Sequence, residues 1–219
     1  MKRFAGVIVH PSSFPNDHGI GNFGDSAYRF IDVIAESGFK LWQMCPLGPT
    51  SYGDSPYQCF SAFAGNPYFI NSDDLIANGW IGRKDLAHLK SLPKDKVDYG
   101  ALFSAFWPVV NQAFIGFKKE LELSKELQNE LHDFYKSHDF WLYDYCNFQA
   151  LKEHFDNRSH LEWKNESESK NATHKRNKFT FISTAAEKHA FTQFIFFKQF
   201  RKLKQYANNK GIQLIGDLP

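Results

Sequence analysis

The stretch FAGVIVHPSSFPNDHGIGNFGDSAYRFIDVIAESGFKLWQMCP, residues 4–46, decides the fold class. Its apolar, β-branched beginning, Phe4–His10, predicts a buried strand, and its apolar end predicts a second one. Between them, Asp25–Gly38 has apolar residues at helical spacing, with Asp25 or Ser26 as the expected N-cap. The order strand, loop, helix, strand predicts a βαβ unit whose two strands are parallel.

The same alternation resumes far along the chain. A long amphipathic helix is predicted at about 185–208, and the sequence GIQLIGDLP, Gly211–Pro219, predicts a third strand after it. We therefore divide the chain into residues 1–60, the first βαβ part with an aromatic loop, residues 61–183, a mainly helical inserted subdomain, and residues 184–219, the last helix and strand. Within the insertion, the polar stretch Asp156–Lys178 predicts a loop.

Alternating strands and helices indicate an α/β fold, either a doubly wound sheet or a (β/α) barrel. Gly19, Gly21 and Gly24 match the spacing of a dinucleotide-binding loop. That motif should follow its strand directly and open the helix, but here it begins well beyond His10. No acidic residue ends the next strand where a ribose partner is expected. We therefore favour a barrel of which this chain holds about three strands.

Composition excludes several classes of function. The net charge is only +2, so we expect no nucleic-acid partner. The apolar run at the N-terminus is short, so we expect no membrane span. The three cysteines fit neither a disulfide framework nor a metal motif, which predicts a reducing cytoplasmic location. Aromatic residues make up 17% of the chain, and such rings fill cores or line ligand grooves.

The loop TSYGDSPYQCFSAFAGNPYF, residues 50–69, is the first candidate site. The phenol ring of Tyr57 lies among small polar residues, where it could offer an apolar face and a hydroxyl to a sugar. A core ring that pins the loop is an equally good interpretation. For Asp54, a side chain that stabilises a turn is the more typical role.

The second candidate is Asp217, which directly follows the third predicted strand in the sequence GDLP. In a barrel, the residues that do chemistry lie on loops after the carboxyl ends of the strands. A carboxylate that caps its own turn explains Asp217 equally well, so its residue type and position leave both interpretations open.

Three segments together resemble one known family. They are GVIVHPSSFPNDHGIGNFGDSAYRFID, LWQMCPLGPTSYGDSPYQCFSAFAGNPYFI and GIQLIGDLP, and they closely resemble 4-α-glucanotransferases, also called amylomaltases, of glycoside hydrolase family 77. The resemblance extends from about residue 3 to residue 219. It implies a (β/α)₈ barrel with helical insertions, and transfer of α-1,4-glucan segments between malto-oligosaccharides with retention of configuration. It implies no metal and no organic cofactor.

The resemblance also assigns expected roles to individual residues. Tyr57 matches the tyrosine that stacks on the donor glucose beside the cleaved bond. Asp217 matches an aspartate that supports the sugar site without being the nucleophile. The remaining expected substrate-binding residues, which shape the wall beside Tyr57, are Asp54, Ser55, Pro56 and Gln58.

The residues that would break the glycosidic bond are expected to lie outside this chain. Retaining transfer needs a nucleophilic carboxylate and an acid/base carboxyl group about 5 Å apart. In the family these groups follow later strands, beyond Pro219, so no catalytic residue is expected here. We therefore expect an N-terminal portion of the enzyme, inactive alone, with the missing C-terminal part as a partner. A non-catalytic remnant or glucan-binding piece is the alternative, and an α-amylase-like hydrolase is disfavoured by the GDSPYQ block.

Overall fold

The computed structural model describes residues 3–50, 52–163 and 180–218. Three short strands form one sheet in the order β1-β2-β3. They are β1 (Gly6–Ile8), β2 (Leu41–Gln43) and β3 (Gln213–Ile215). Both pairs are parallel. The three predicted strands are therefore present, in the predicted orientation, but each is shorter than its apolar run.

Helices make up most of the rest of the described chain. The α-helices are α1 (Asp25–Glu36), α2 (Ser72–Ala77), α3 (Ala87–Lys90), α4 (Tyr99–Leu123), α5 (Lys125–Ser137), α6 (Leu142–His154) and α7 (Thr184–Asn209). Short 3₁₀ turns lie at Pro11–Ser13, Tyr52–Asp54, Pro67–Phe69, Arg83–Leu86 and His160–Glu162. Most of the polar loop predicted at Asp156–Lys178 lies outside the described residues.

The contacts divide the chain into two compact units, Met1–Lys119 with Ile195–Pro219, and Glu120–Phe194. The first unit contains the sheet and both predicted site segments.

The second unit is helical, and within it two buried basic side chains, Lys188 and His189, contact the exposed carboxylate of Glu153. Lys188 Nζ donates to Glu153 at 2.9 Å, and His189 Nε2 lies 3.3 Å from the other carboxylate oxygen. The hydrogen bonds from His189 and Lys188 lower the pKa of Glu153 to about 2. The carboxylate thus stays ionised throughout the neutral range.

One face of the sheet in the first unit is packed. Val7, Trp42 and Leu214 are register partners, so their side chains point to the same face. Trp42 is 0% exposed. Its ring lies 5.1 Å from the Phe30 ring of α1, and its indole N–H donates to the Val9 carbonyl at 2.9 Å. The centre of the sheet is therefore the core of this unit.

The opposite face of the sheet, which we call the open face, carries the alternate residues. Ile8, Gln43 and Ile215 form one of its rows. Ile8 is 66% exposed and Ile215 is 39% exposed. Two apolar strand residues thus contact solvent in the described part of the chain, which is unusual for a parallel sheet because such sheets are normally covered on both faces.

Helix α4 is long and apolar enough to cross a bilayer by length and composition alone. However, 44% of its most apolar 18-residue window is buried inside the structure. Its buried residues recur every three or four positions, and they include Leu102, Phe106, Val109, Val110, Ala113, Phe114 and Phe117. This spacing is typical of a helix that packs one face against a protein core.

Candidate functional site

The loop that carries Tyr57, residues 52–59, is closed at its base by backbone contacts; we call it the Tyr57 loop. Thr50 and Cys59 form an isolated antiparallel bridge, and the Phe60 N–H donates to the Pro49 carbonyl at 3.2 Å. Near its start, Gly53 has φ +76° and Asp54 has φ +53°. Glycine adopts this left-handed region freely, and aspartate tolerates it better than most residues. The sequence GD thus allows the sharp bend at this point.

The Tyr57 hydroxyl joins this loop to the segment that follows β3. It donates to Asp217 Oδ2 at 2.8 Å, while Asp217 Oδ1 accepts from the Leu218 N–H at 2.9 Å. The two leading sequence candidates are therefore in direct contact, because the carboxyl ends of neighbouring parallel strands meet at one edge of the sheet. The tyrosine remains 52% exposed, so its ring is not a core ring.

The hydrogen bond controls the protonation of the phenol. The Asp217 carboxylate accepts a hydrogen bond from the phenol, and a second hydrogen bond involves the Cys45 thiol; together they raise the pKa of Tyr57 to about 12. The phenol is therefore neutral at physiological pH, and its hydroxyl stays a donor to Asp217. An exposed ring face beside a carboxylate is an arrangement that can cover a sugar ring and accept hydrogen bonds from its hydroxyl groups.

The other predicted site residues form the turn around Tyr57. The Ser55 hydroxyl accepts from the Tyr57 N–H at 3.3 Å, and the Ser55 carbonyl accepts from the Gln58 N–H at 3.1 Å. Gln58 is exposed, whereas Pro56 is half-buried. Ser55 thus fixes the direction in which the tyrosine leaves the backbone.

A pocket of about 160 Å³, which we call the first pocket, lies beside this turn. Its lining includes His10, Ser12, Cys45, Asp54, Pro56, Asn66 and Tyr99. Asp54 therefore borders this pocket. Burial raises the pKa of the Tyr99 phenol, and the nearby Asp54 charge adds to the rise. The pocket is thus lined by neutral donors together with one carboxylate.

His10, two residues after β1 ends, lines the first pocket. Its Nδ1 lies 2.7 Å from Ser12 Oγ, and its Nε2 lies 3.4 Å from the Pro46 carbonyl oxygen. Burial lowers the pKa of His10. Because the carbonyl can only accept, the neutral ring carries its proton on Nε2, and Nδ1 accepts from the serine hydroxyl. The first loop is thereby tied to the chain that leaves β2.

A second, apolar pocket of about 170 Å³ lies on the Asp217 side. Its lining includes Phe63, Phe196, Phe197, Phe200, Asp217 and Leu218. Gly65 forms part of its wall, and a Cβ atom there would lie 2.2 Å from the Phe196 ring. Only glycine therefore allows this close approach between the loop and α7.

Two contacts in this region escape prediction from the sequence. Cys45, whose thiol forms a hydrogen bond with Tyr57, lies two residues after β2 ends, a position typical of site residues in a barrel. Cys59 donates its thiol proton to the Pro56 carbonyl at 2.9 Å. No motif marks either contact. Within residues 3–50, 52–163 and 180–218, no group of three or more His, Cys, Asp and Glu residues is placed to hold a metal ion.

Comparison with known proteins identifies similar chains. The family profile described as 4-alpha-glucanotransferase matches residues 9–219. The 4-alpha-glucanotransferase of Thermus thermophilus is 38% identical over 219 residues, covering 100% of this chain and 43% of its own length. The corresponding protein of Streptococcus pneumoniae serotype 4 is 37% identical, again over 100% of this chain and 43% of its own.

Two solved structures are also similar. The amylomaltase from Streptococcus agalactiae in complex with acarbose has a TM-score of 0.88 and 40% identity, covering 100% of this chain and 43% of its own. The amylomaltase from Corynebacterium glutamicum has a TM-score of 0.74 at 18% identity, over 98% of this chain and 30% of its own, and this likeness concerns the fold alone. The chain thus spans less than half the length of the relatives it matches.

Proposed function

The chain belongs to the 4-alpha-glucanotransferase family, and we propose that it supplies the sugar-holding part of a 4-α-glucanotransferase active site. The observation that carries the proposal is the Tyr57 ring, 52% exposed yet fixed at its hydroxyl by Asp217 at 2.8 Å. A ring fixed in this way covers one face of a glucose unit with little further loss of side-chain freedom. The substrates are α-1,4-glucans and malto-oligosaccharides, and the reaction is transfer with retention of configuration.

In this proposal the residues divide their tasks. Tyr57 stacks on the donor sugar and Asp217 supports the sugar site. Ser55, Pro56 and Gln58 shape the wall next to the ring, with Asp54 at its polar edge. The bond-breaking carboxylates, a nucleophile and an acid/base group, come from outside these 219 residues, and no cofactor or metal takes part.

The proposal also assigns a structural role to the open face. It becomes the interior of a (β/α)₈ barrel, whose remaining strands belong to the C-terminal part of the same enzyme, and residues 61–183 form the inserted subdomain. Ile8 and Ile215, exposed here, support this assignment because barrel interiors are filled with branched apolar side chains. The partners are therefore that missing part and glucans, with no nucleic acid and no membrane. The free cysteines favour a cytoplasmic location.

Incubation of the 219-residue chain with maltotriose tests the division of tasks. We expect neither glucose nor longer oligosaccharides, because this proposal assigns the carboxylate pair that retaining transfer requires to the C-terminal part of the enzyme. Formation of both products would refute the predicted inactivity of the chain alone. Glucose without longer products would instead indicate a hydrolase.

Titration of the chain with acarbose by isothermal calorimetry tests the sugar-holding role. Tyr57→Ala is expected to weaken binding about fivefold, because covering one sugar face contributes on the order of 1 kcal/mol. Phe140→Ala, which removes a ring that is 66% exposed in the second unit, is the matched control and should leave the affinity unchanged. Equal affinities of the Tyr57 variant and the unmodified chain would exclude the proposed role.

A further inference from the structure

Cys59 occupies the base of the Tyr57 loop. It pairs with Thr50 in the bridge that closes the loop, and it is half-buried with a free thiol. The next residue, Phe60, donates its N–H to the Pro49 carbonyl at 3.2 Å. The thiol therefore lies where the loop rejoins the body of the first unit.

The thiol contacts two backbone groups, one inside the Tyr57 loop and one before it. Its S–H donates to the Pro56 carbonyl at 2.9 Å, and the sulfur receives a backbone hydrogen bond from Gly48. Pro56 immediately precedes Tyr57, whereas Gly48 belongs to the segment that leaves β2. One sulfur atom thus links the end of the strand to the tip of the loop.

The space around the sulfur is closely filled. A Cβ atom on Gly48 would lie 2.7 Å from Cys59 Sγ, well inside van der Waals contact, so backbone and thiol meet without a gap. The thiol is a hydrogen-bond donor only while it is protonated. Burial raises the pKa of Cys59, so this condition holds at neutral pH.

Tyr57 is therefore held at two ends, by Asp217 at its hydroxyl and by the Pro56 peptide at its backbone. We propose that Cys59 is a positioning residue for Tyr57, because its S–H bond to Pro56 fixes the backbone from which the ring projects. The consequence of this positioning for catalysis rests on the sugar-binding role of Tyr57 proposed above. Asp217 fixes only the hydroxyl end of the residue, and at the backbone end the Cys59 bond acts together with the Ser55 hydroxyl, which accepts from the Tyr57 N–H at 3.3 Å.

Tyrosine ring signals provide a test that does not depend on sugar. In the 219-residue chain labelled with ¹³Cζ-tyrosine, Tyr57→Phe identifies the Tyr57 resonance by its disappearance. Cys59→Ala should move that resonance towards the position found in Asp217→Asn. It should also speed amide hydrogen exchange in residues 52–60 about twofold to tenfold, as expected for the loss of one hydrogen bond. Cys59→Ser retains a hydrogen-bond donor, so the Tyr57 resonance and the exchange rates should lie close to those of the unmodified chain.

The matched control is Ser61→Ala. The Ser61 hydroxyl accepts from the Phe63 and Ala64 N–H groups, each at 3.1 Å, in a turn outside the Tyr57 loop. This variant should leave the Tyr57 resonance in place. Circular dichroism of each variant establishes that the chain remains folded. If Cys59→Ala leaves both the resonance and the exchange rates unchanged, the proposal is overturned.

Acarbose affinity separates this proposal from the function on which it rests. We expect Cys59→Ala to weaken binding about threefold to fivefold, within the loss expected for Tyr57→Ala, and Cys59→Ser to restore it. If Cys59→Ala moves the Tyr57 resonance while neither alanine variant alters affinity, the positioning role stands and the sugar-binding role of Tyr57 is wrong. If Tyr57→Ala weakens binding but Cys59→Ala does not, the positioning role is wrong.

Discussion

The two faces of the small parallel sheet carry similar residues and have opposite surroundings. On the packed face Trp42, which pairs with Val7 of β1, is 0% exposed. On the open face Ile8, the next residue of β1, is 66% exposed. Ile31 of α1 is as apolar as Ile8 and is 0% exposed. Burial in this unit therefore depends on which face a neighbouring helix covers, because alternate strand residues point to opposite sides. The packed face should determine stability and the open face should determine association.

The largest effect is expected on the packed face. Trp42→Ala should lower the free energy of unfolding by about 3–5 kcal/mol, because it removes a buried ring and leaves a cavity. The change also removes the indole donor to the Val9 carbonyl and the contact with Phe30. Urea denaturation followed by circular dichroism measures the loss. A change below about 1 kcal/mol would show that the sheet centre is not the core.

A second prediction uses pH to probe the packed part of the first unit. His18 is 5% exposed with no hydrogen-bond partner at Nδ1, and burial lowers its pKa below 6.5. Burial also lowers the pKa of His10. Because the pKa of each histidine is lower in the folded chain, the unfolded chain binds protons more readily than the folded chain does. The histidine contribution to the free energy of unfolding is therefore fully present above pH 6.5, and it is lost as the pH falls towards the lowered pKa values of the folded chain.

Unfolding free energies between pH 6.5 and 5 test this prediction. Each histidine can add a slope of at most about 1.4 kcal/mol per pH unit, and His18→Gln should make the slope shallower by up to that amount. Glu153, whose pKa is lowered to about 2, loses its contribution only at lower pH, so it does not interfere in this range. An identical slope in the variant would mean that His18 does not titrate with folding.

The smallest effect is expected on the open face. Ile8→Ala should change the stability of the chain by no more than about 0.5 kcal/mol, because the side chain is 66% exposed. The same urea experiment, run beside Trp42→Ala, gives a direct comparison of the two faces. A loss above about 2 kcal/mol would mean that the open face is covered in solution, for example by a second copy of the chain.

Much of the fold follows from local sequence patterns. The β-branched runs and the helical spacing locate the three strands, α1 and α7, because backbone periodicity and side-chain burial are determined together. The family resemblance is confirmed by the match over residues 9–219. The proximity of Tyr57 and Asp217 agrees with the topology, since the loop that holds Tyr57 and the segment that holds Asp217 both follow the carboxyl ends of adjacent strands.

Other features could not be predicted because they depend on contacts between distant residues. We expected Asp25 or Ser26 to cap α1, but the N-cap is Gly24, with no side-chain hydrogen bond. The Ser26 hydroxyl instead donates to the Pro15 carbonyl at 2.7 Å. The Cys45 thiol likewise acquires its partner, Tyr57, only when the Tyr57 loop folds, and the Cys59 thiol selects the Pro56 carbonyl, three residues before it, without a motif that marks the choice. A small polar atom has many acceptors within reach, and sequence spacing does not select among them.

The hydrogen bond between Tyr57 and Asp217 has a further consequence for synthesis of the protein. It joins residues separated by 160 positions in the chain. A ribosome that adds 5–20 residues per second needs about 10–30 s to pass from one to the other. The nascent polypeptide therefore carries a complete aromatic loop for many seconds before the carboxylate that orients its phenol has been made. Orientation of the Tyr57 ring is thus one of the last events in the maturation of this segment.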